Sequence, residues 1–304
     1  IHFAHQTFNW SNEAKSNAAV HVVIIGFAQF DSTNKRIFEY ENIKSNAHEK
    51  SAKNINAYLV EGDDIVIEKR RKPLCNVLNI IKGNYYAKSE GLIIEEKDLD
   101  YLVKNEPNAK KWIKLLIGAD EFINNRKRYC LWLVDCPPDE LRKMPLVMER
   151  VNRVREDRLK STDKGMQNLA PIRFRETNNP DKCIVIPVVS SEKRPYIPIG
   201  FIDKNTISTN GNLIIPNGDL FLFGQLTSLM HMSWVKYTCG RLESRFRYSK
   251  DIVYNNYPFP KDVTEKQKSA VEEKAQNVLD IRASFNDCSL ADLYDPLSMP
   301  PNLK

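Results

Sequence analysis

Residues 183–201, CIVIPVVSSEKRPYIPIGF, are the stretch that decides the fold. Two runs rich in β-branched residues, Ile184–Val189 and Tyr196–Phe201, flank a short polar segment, Ser190–Arg194, which we call the tip. This pattern predicts a pair of neighbouring strands that present a charged loop to solvent.

The tip holds an acidic and a basic side chain two residues apart, Glu192 and Arg194, and Ser191 and Lys193 stand next to them. On a rigid pair of strands, an arginine can donate two hydrogen bonds to a guanine, and a glutamate can accept one from a cytosine. An ordinary surface turn with an exposed ion pair has the same composition, and such pairs stabilise a fold only weakly. The stretch alone favours the ordinary turn, so the choice depends on the rest of the chain.

The composition is that of a globular protein with a mild basic excess. The length of 304 residues allows one large domain or two moderate ones, with a sizeable core. The chain has 45 Lys and Arg against 39 Asp and Glu, so its net charge is +6. This excess permits a nucleic-acid partner without demanding one, because the clustering of charge matters more than its sum.

The cysteines and the apolar runs indicate the redox state of the thiols and whether a membrane span is present. The six cysteines are scattered, form no CxxC pair and have no histidine at zinc-finger spacing, which predicts reduced thiols, no metal site and a cytoplasmic protein. The longest apolar run, Leu220–Val235, is interrupted by Gln225, Thr227, Ser228 and His231. It predicts a core helix and not a membrane span.

The first part of the chain contains the run Ala19–Ala28, AVHVVIIGFA, which predicts a strand buried on both faces of a sheet. Too few residues precede it to build that sheet, so we expect a fragment of a larger domain. The polar segment Asp31–Lys53 is predicted to connect two domains. Two short strands, Tyr58–Val60 and Ile65–Glu68, are predicted to follow it.

Later segments carry clear start and stop signals. Pro145 opens a predicted helix over Pro145–Leu159, Asp219 caps one over Leu220–Cys239, and Thr264 with Gln267 forms a capping box before a helix over Glu265–Ala283. The other predicted elements are shorter. They are helices at Glu96–Lys104 and Lys110–Leu116, and strands at Tyr129–Val134 and Leu213–Ile215.

Two basic segments are candidates for phosphate contacts. The helix at Pro145–Leu159 carries Arg150 and Arg153, and a solvated helix surface explains them equally well. The segment RLESRFRYSK interleaves aromatic residues with four cations, which are Arg241, Arg245, Arg247 and Lys250. Such a segment can contact a sugar–phosphate backbone, or it can be a loop that packs its aromatic side chains inward. The spacing does not distinguish these two interpretations.

No complete catalytic site is present in the sequence. It lacks a P-loop, the GxGxxG and GxSxG patterns, HExxH and an EF-hand loop. Of the five histidines, His21 and His231 lie inside apolar runs and are predicted to belong to the core. The residues alone therefore indicate a basic, mixed α/β protein, and a binding module is one interpretation of it.

Several blocks in order resemble the C-terminal part of the MmeI-like enzymes. These are bacterial single-chain type II restriction–modification enzymes and relatives that act as DNA adenine-N6 methyltransferases. The resemblance covers essentially the whole chain. Its blocks are Phe3–Lys15, Ala18–Phe27, Gly118–Ile123, Arg128–Leu133, Leu141–Pro145, Ser190–Arg194, Tyr196–Phe201, Leu226–Trp234, Tyr248–Asn256, Pro258–Pro260 and Ser289–Pro296.

This resemblance implies an α+β fold, with a mixed α/β target recognition domain, a remnant of the methyltransferase sheet at the N-terminus and a C-terminal helical segment. The implied boundaries are 1–45, 46–260 and 261–304. The S-adenosylmethionine loop and the Asn-Pro-Pro-aromatic motif of the family are not in these residues. The resemblance thus implies that this part binds no cofactor itself, that the full-length enzyme uses S-adenosylmethionine, and that its partners are double-stranded DNA and an upstream methyltransferase domain, with no membrane.

By resemblance, Glu192 and Arg194 match the pair that sets the choice of base at one target position, with Ser191 and Lys193 beside them. Phe8 and Trp10 lie near the place where the family sets an aromatic ring against the flipped adenine, although either also suits packing. Arg241, Arg245, Arg247 and Lys250 are the candidates for phosphate contacts. A free-standing DNA specificity subunit and a protein-interaction scaffold remain the alternatives.

Overall fold

The computed structural model describes residues 1–10, 20–41 and 44–303 of the chain. These residues fall into two units, which are described separately. Unit 1 consists of Ile1–Lys69 with Arg241–Ser244, and unit 2 of Arg70–Gly240 with Arg245–Lys304. The helices among these residues include none that is long and apolar enough to cross a membrane.

Short strands and helices are interspersed along the chain. The strands are β1 (Phe3–Trp10), β2 (Val20–Gly26), β3 (Lys35–Glu39), β4 (His48–Ala52), β5 (Ile81–Lys82), β6 (Ile93–Glu95), β7 (Ile113–Ile117), β8 (Arg128–Leu131), β9 (Lys182–Pro187), β10 (Val189–Ser190), β11 (Gly200–Asp203), β12 (Thr206–Ser208), β13 (Asn212–Pro216), β14 (Gly240–Leu242) and β15 (Arg245–Arg247). The α-helices are α1 (Glu96–Asn105), α2 (Ala119–Asn124), α3 (Pro138–Leu141), α4 (Pro145–Leu159), α5 (Lys164–Gln167), α6 (Leu220–Leu226), α7 (Leu229–Thr238), α8 (Glu265–Ser284) and α9 (Leu290–Tyr294). The mixed sheets and the separate helices confirm the α+β prediction.

Unit 1 contains a four-stranded sheet in the order β2-β1-β3-β4. Strand β1 runs antiparallel to β2 and parallel to β3, which in turn runs antiparallel to β4. Its small core is made of Ala4, Ile37, Ala52 and Ile55, with Leu59 packed against it.

The structure corrects the predictions for this unit. The segment Asp31–Lys53 is not a plain connection, because it contains β3 and β4. Strand β4 has the sequence HEKSA and four of its five residues are exposed, so it lacks the apolar alternation that identifies a strand. The apolar run at residues 20–26 does form β2, but Val23, Ile24 and Ile25 are 46%, 38% and 42% exposed at the edge of the sheet. Within unit 1, this strand is therefore not buried on both faces.

The predicted strands Tyr58–Val60 and Ile65–Glu68 are wrong. The first forms a tight turn, in which Leu59 has a positive φ of 57° and its N–H donates to the Asn56 carbonyl at 3.0 Å. The second is an exposed extended segment, tied to the first by the Ile67 N–H, which donates to the Tyr58 hydroxyl at 2.8 Å. Local hydrogen bonds thus replace the sheet pairing that the apolar residues suggest.

Unit 2 contains two four-stranded sheets, β11-β9-β13-β5 and β12-β7-β8-β6. The helices α6 and α7 share one core with the first sheet, and α4 shares another with the second. The helix α4 has the predicted bounds, with Pro145 in its first turn and Val147, Val151 and Val154 buried along one face. The capping box of Thr264 and Gln267 and the cap at Asp219 are also confirmed.

Two predicted helices of unit 2 need correction. Lys110–Leu116 is not an α-helix, because a 3-10 helix over Pro107–Trp112 leads into β7, which lies between β12 and β8. The apolar run that suggested a helix face serves as a central strand instead. The helix predicted over Leu220–Cys239 is divided into α6 and α7. The Thr227 hydroxyl donates to the Phe223 carbonyl at 2.8 Å, and the Ser228 hydroxyl accepts from the His231 N–H, so it begins a new helix.

Candidate nucleic-acid interface

The predicted strand pair around the tip is present, with a longer connection than the sequence indicates. Strands β9 and β11 run antiparallel, with Val185 opposite Gly200 and Ile184 opposite Phe201. Between them, β10 leaves this sheet and pairs with β15. The second predicted strand begins only at Gly200, because Pro195 and Pro198 have no N–H to donate to a ladder.

The tip itself forms a turn between β10 and the segment that leads to β11. The backbone N–H of Arg194 donates to the Ser191 carbonyl at 3.3 Å, and that of Lys193 to the Ser191 hydroxyl at 3.2 Å. Ser190 is buried at its start, Lys193 is exposed, and Glu192 and Arg194 are half-buried. The acidic and the basic side chain therefore belong to one short, hydrogen-bonded turn.

The guanidinium of Arg194 interacts with the charges of three carboxylates but forms no ion pair with a described residue. Burial lowers its pKa, and the charges of Asp295, Asp292 and Glu192 oppose that shift. Its Nε is buried and has no hydrogen-bond partner among the described residues. The other nitrogens of the guanidinium also make no hydrogen bond to a described residue.

The C-terminal helices brace the chain that returns from the tip. Arg282 of α8 donates to the Ile199 carbonyl at 2.6 Å and to the Tyr294 hydroxyl of α9. Its guanidinium also lies 5.5 Å from the centre of the Phe223 ring. Asp292 caps α9 together with Ser289, which fixes its carboxylate. The sequence gives no local signal for this arrangement, because about a hundred residues separate α9 from the tip.

Strand β15 resolves the two interpretations of the basic–aromatic segment. Phe246 and Tyr248 are buried in the core, whereas Arg247 is exposed and Arg245 is half-buried. Lys250 forms an ion pair with Asp251 at 2.7 Å. The aromatic residues thus pack inward while the alternate positions present cations. The fourth candidate, Arg241, belongs to unit 1 and is exposed.

The two arginines predicted on α4 differ in their surroundings. Arg150 donates to the carbonyls of Gly91 and Ile93 at 3.3 and 3.0 Å, so it ties α4 to the neighbouring segment. Arg153 is exposed. Of these two, Arg153 is the one whose side chain is free to meet a ligand.

In unit 1, Phe8 belongs to an aromatic cluster. It stacks on Tyr40 with ring centres 5.1 Å apart, and His5 stacks on Phe38 at 4.1 Å. The His5 ring and the Tyr40 hydroxyl are hydrogen-bonded at 2.8 Å, and burial lowers the pKa of His5. Trp10 is 46% exposed, so its ring is more open than that of Phe8.

Two observations concern metal and cofactor binding by the described residues. Residues 1–10, 20–41 and 44–303 contain no cluster of three or more His, Cys, Asp or Glu side chains placed to hold a metal. Unit 1 has a cavity of about 430 Å³ lined by seven residues, none of which is acidic. It therefore offers no carboxylate to accept from ribose hydroxyls.

One basic cluster is not among the predicted phosphate contacts. Lys69-Arg-Arg-Lys72 is a run of four consecutive cations, and this run itself is the signal that identifies it. Arg70, Arg71 and Lys72 lie in unit 2 and are exposed.

Comparison with protein families gives three matches that together span nearly the whole chain. The family model described as "MmeI, target recognition domain" matches residues 61–261. The model of the "MmeI, C-terminal domain" matches residues 263–304, and that of the "MmeI, DNA-methyltransferase domain" matches residues 1–39.

Individual proteins give the same result. The chain is 38% identical over 308 aligned residues to DNA methyltransferase A of Bacillus subtilis (strain 168), and the match covers 100% of this chain and 34% of that protein. The solved structure of the type IIL restriction–modification enzyme MmeI in complex with DNA matches with a TM-score of 0.88 and 43% identity, over 99% of this chain and 41% of that one. The chain thus spans about a third of the length of the curated relative.

Proposed function

This chain belongs to the MmeI family, and we propose from that premise that it carries the sequence-recognition part of a bacterial site-specific DNA adenine-N6 methyltransferase of a restriction–modification system. One observation carries the proposal. The segment that matches the target recognition domain presents Glu192 and a half-buried Arg194, whose side chain donates no hydrogen bond to a described residue, on a braced turn.

The two side chains have complementary roles in this proposal. Arg194 donates two hydrogen bonds to guanine O6 and N7, and Glu192 accepts one from N4 of the paired cytosine. Ser191 and Lys193 flank them and complete the contact surface. Because the turn carries both side chains close together, they contact one base pair and specify one position of the target.

Further cations supply contacts that hold the duplex without specifying its sequence. In this proposal, phosphates are bound by Arg241, Arg245, Arg247, Lys250 and Arg153, and by Arg150 only to the extent that its bonds to the fold leave a donor free. Sequence-specific proteins make half or more of their hydrogen bonds to phosphate and sugar, so such residues are required beside the tip.

The catalytic part lies, in this proposal, in an upstream domain of the same cytoplasmic protein, which uses S-adenosylmethionine. The exposed valine and isoleucines of β2 support this, because an apolar edge strand is stabilised by further strands and helices that cover it. Trp10 or Phe8 then faces the flipped adenine. The division of the chain at 1–45, 46–260 and 261–304 belongs to the same proposal.

A binding titration of the complete natural protein tests the proposed function. Gel-shift experiments compare a duplex that carries the site methylated in the host with a scrambled duplex, over a series of salt concentrations. We expect preference for the site, and a steep loss of affinity with salt for both duplexes, because bound cations displace counterions from the phosphates. A protein-interaction scaffold gives weak or salt-independent binding. A free-standing specificity subunit binds the site but methylates no DNA when S-adenosylmethionine is added.

A further inference from the structure

The run of cations at residues 70–72 lies on a segment whose backbone is fixed at both ends. We call the segment Arg70–Leu74 the strap. It contains neither helix nor strand, and most of its residues are exposed. Exposed segments without regular structure are normally mobile, so the bonds that fix this one need a reason.

Two neighbouring asparagines hold the strap. The Asn255 side-chain amide donates to the Arg70 carbonyl at 2.7 Å, and the Asn255 carbonyl accepts from the Leu74 N–H at 2.7 Å. The Arg70 N–H donates to the Asp251 carbonyl at 2.9 Å, and Arg70 Nε donates to the Asn256 side chain at 2.9 Å. Asn255 and Asn256 are only 2% and 9% exposed, so the fold buries two polar side chains for this purpose.

The residues between these two fixed points are Arg71, Lys72 and Pro73. Arg71 and Lys72 are exposed, and neither has a hydrogen bond or an ion pair with a described residue. Two adjacent cations repel each other, and the proline restricts the backbone further. This arrangement does little for stability. It does reduce the conformational entropy that the segment loses when a ligand binds both side chains.

A continuous set of contacts joins the strap to the tip within unit 2. Asp251, which accepts from Arg70, also forms the ion pair with Lys250. Lys250 follows β15, whose Arg247 lies opposite Val189 of β10, and β10 leads directly into the tip. The strap is therefore connected to the tip through residues 247–251 and the pairing of β15 with β10.

We propose that Arg71 and Lys72 bind backbone phosphates of the DNA duplex that the tip contacts. This inference rests on the proposed function and adds to it a phosphate-binding site in the strap. Two cations on a fixed backbone suit a polyanion whose charges are regularly spaced, and phosphate contacts fix the register in which the tip meets its base pair. The buried asparagines act as positioning residues that hold the strap.

The test is the salt dependence of DNA binding by the complete protein carrying R71Q and K72Q together. Both side chains are exposed, so the substitutions leave the core intact. The slope of log K against log salt should become shallower by about 2, since each phosphate contact contributes about 0.9. The ratio of affinities for the target site and a scrambled duplex should stay close to that of the unaltered protein, because phosphate contacts carry no sequence information.

The matched control carries K97Q and K104Q, which remove the same charge from exposed positions of α1. We expect its slope to stay within about 0.5 of that of the unaltered protein, the part attributable to net charge alone. An unchanged slope in the R71Q/K72Q protein, or an equal change in the control, overturns the strap proposal. If the unaltered protein itself binds DNA without salt dependence, the proposed function fails instead, so the two failures are distinguishable.

Discussion

Two arginines of unit 2, Arg158 in the interior and Arg194 at the tip, have opposite surroundings. Arg158 is 1% exposed and donates to the carbonyls of Lys88, Leu169, Ala170 and Arg173 and to the Ser89 hydroxyl. Arg194 is half-buried, has no side-chain hydrogen bond to a described residue, and lies near carboxylates.

The difference separates the structural role of Arg158 from the binding role proposed for Arg194. Both guanidinium groups are partly desolvated, and burial lowers the pKa of both. The fold compensates Arg158 with five acceptors, because a buried unpaired donor is costly. It compensates Arg194 only with the charges of nearby acids, and under the proposed function its side chain donates to a guanine. Hydrogen-bond saturation, and not charge or burial, distinguishes the two.

The largest expected effect is on stability at Arg158. The substitution Arg158→Met keeps much of the volume but leaves four carbonyls and one hydroxyl without their donor. We expect a loss of about 3–5 kcal/mol in the free energy of unfolding, the range found when one partner of a buried polar network is removed. Urea unfolding followed by circular dichroism measures it.

Arg153→Met on the same helix is the control for this substitution. Arg153 is exposed, and exposed substitutions usually change stability by about 0.5 kcal/mol or less. Similar losses for the two variants would contradict a structural role that belongs to Arg158 alone.

His231 extends the comparison to the dependence of stability on pH. It is 1% exposed, its ring is hydrogen-bonded to the Tyr248 hydroxyl at 2.9 Å, and burial lowers its pKa to about 3. In the unfolded chain the pKa is about 6.5. The folded protein therefore favours neutral His231, and its contribution is complete above pH 6.5 and is lost as the pH falls toward 3.

We expect this single group to remove about 2 kcal/mol of stability between pH 6.5 and pH 5, at about 1.4 kcal/mol per pH unit. Unfolding free energies of the unaltered protein and of His231→Gln, measured across this interval, isolate the effect. The variant is less stable at pH 7 but should have the flatter profile. Parallel profiles would show that His231 is not the group responsible.

The elements that the sequence predicts correctly are those with local signals. Pro145 and three valines on one face define α4, and the Thr264 capping box defines the start of α8. The apolar residues of Lys110–Leu116 fit a helix as well as a strand, and the pairing of β7 with β8 and β12 makes the second half of this segment a strand. Long-range pairing of this kind leaves no local signal.

The same limit applies to the candidate site. The family resemblance makes Glu192 and Arg194 candidates, whereas their spacing alone favours an ordinary surface turn. The proximity of Asp295 to Arg194 could not, because it depends on Arg282 bracing the chain at Ile199. The strap had a signal in its run of cations, but its fixed backbone depends on Asn255, which is far away in the sequence.

The most direct test of sequence recognition by the tip is the map of methylated sites in cells that produce the complete protein with Glu192→Arg and Arg194→Glu together. Each lost base contact costs about 1–3 kcal/mol, so the exchange should alter the base accepted at one position of the target and leave the other positions unchanged. Lys97→Gln, at an exposed position of α1 outside the tip, serves as the control and should keep the original base. An identical set of methylated sites in the exchanged protein would contradict the account, because it would mean that Glu192 and Arg194 do not take part in the choice of base.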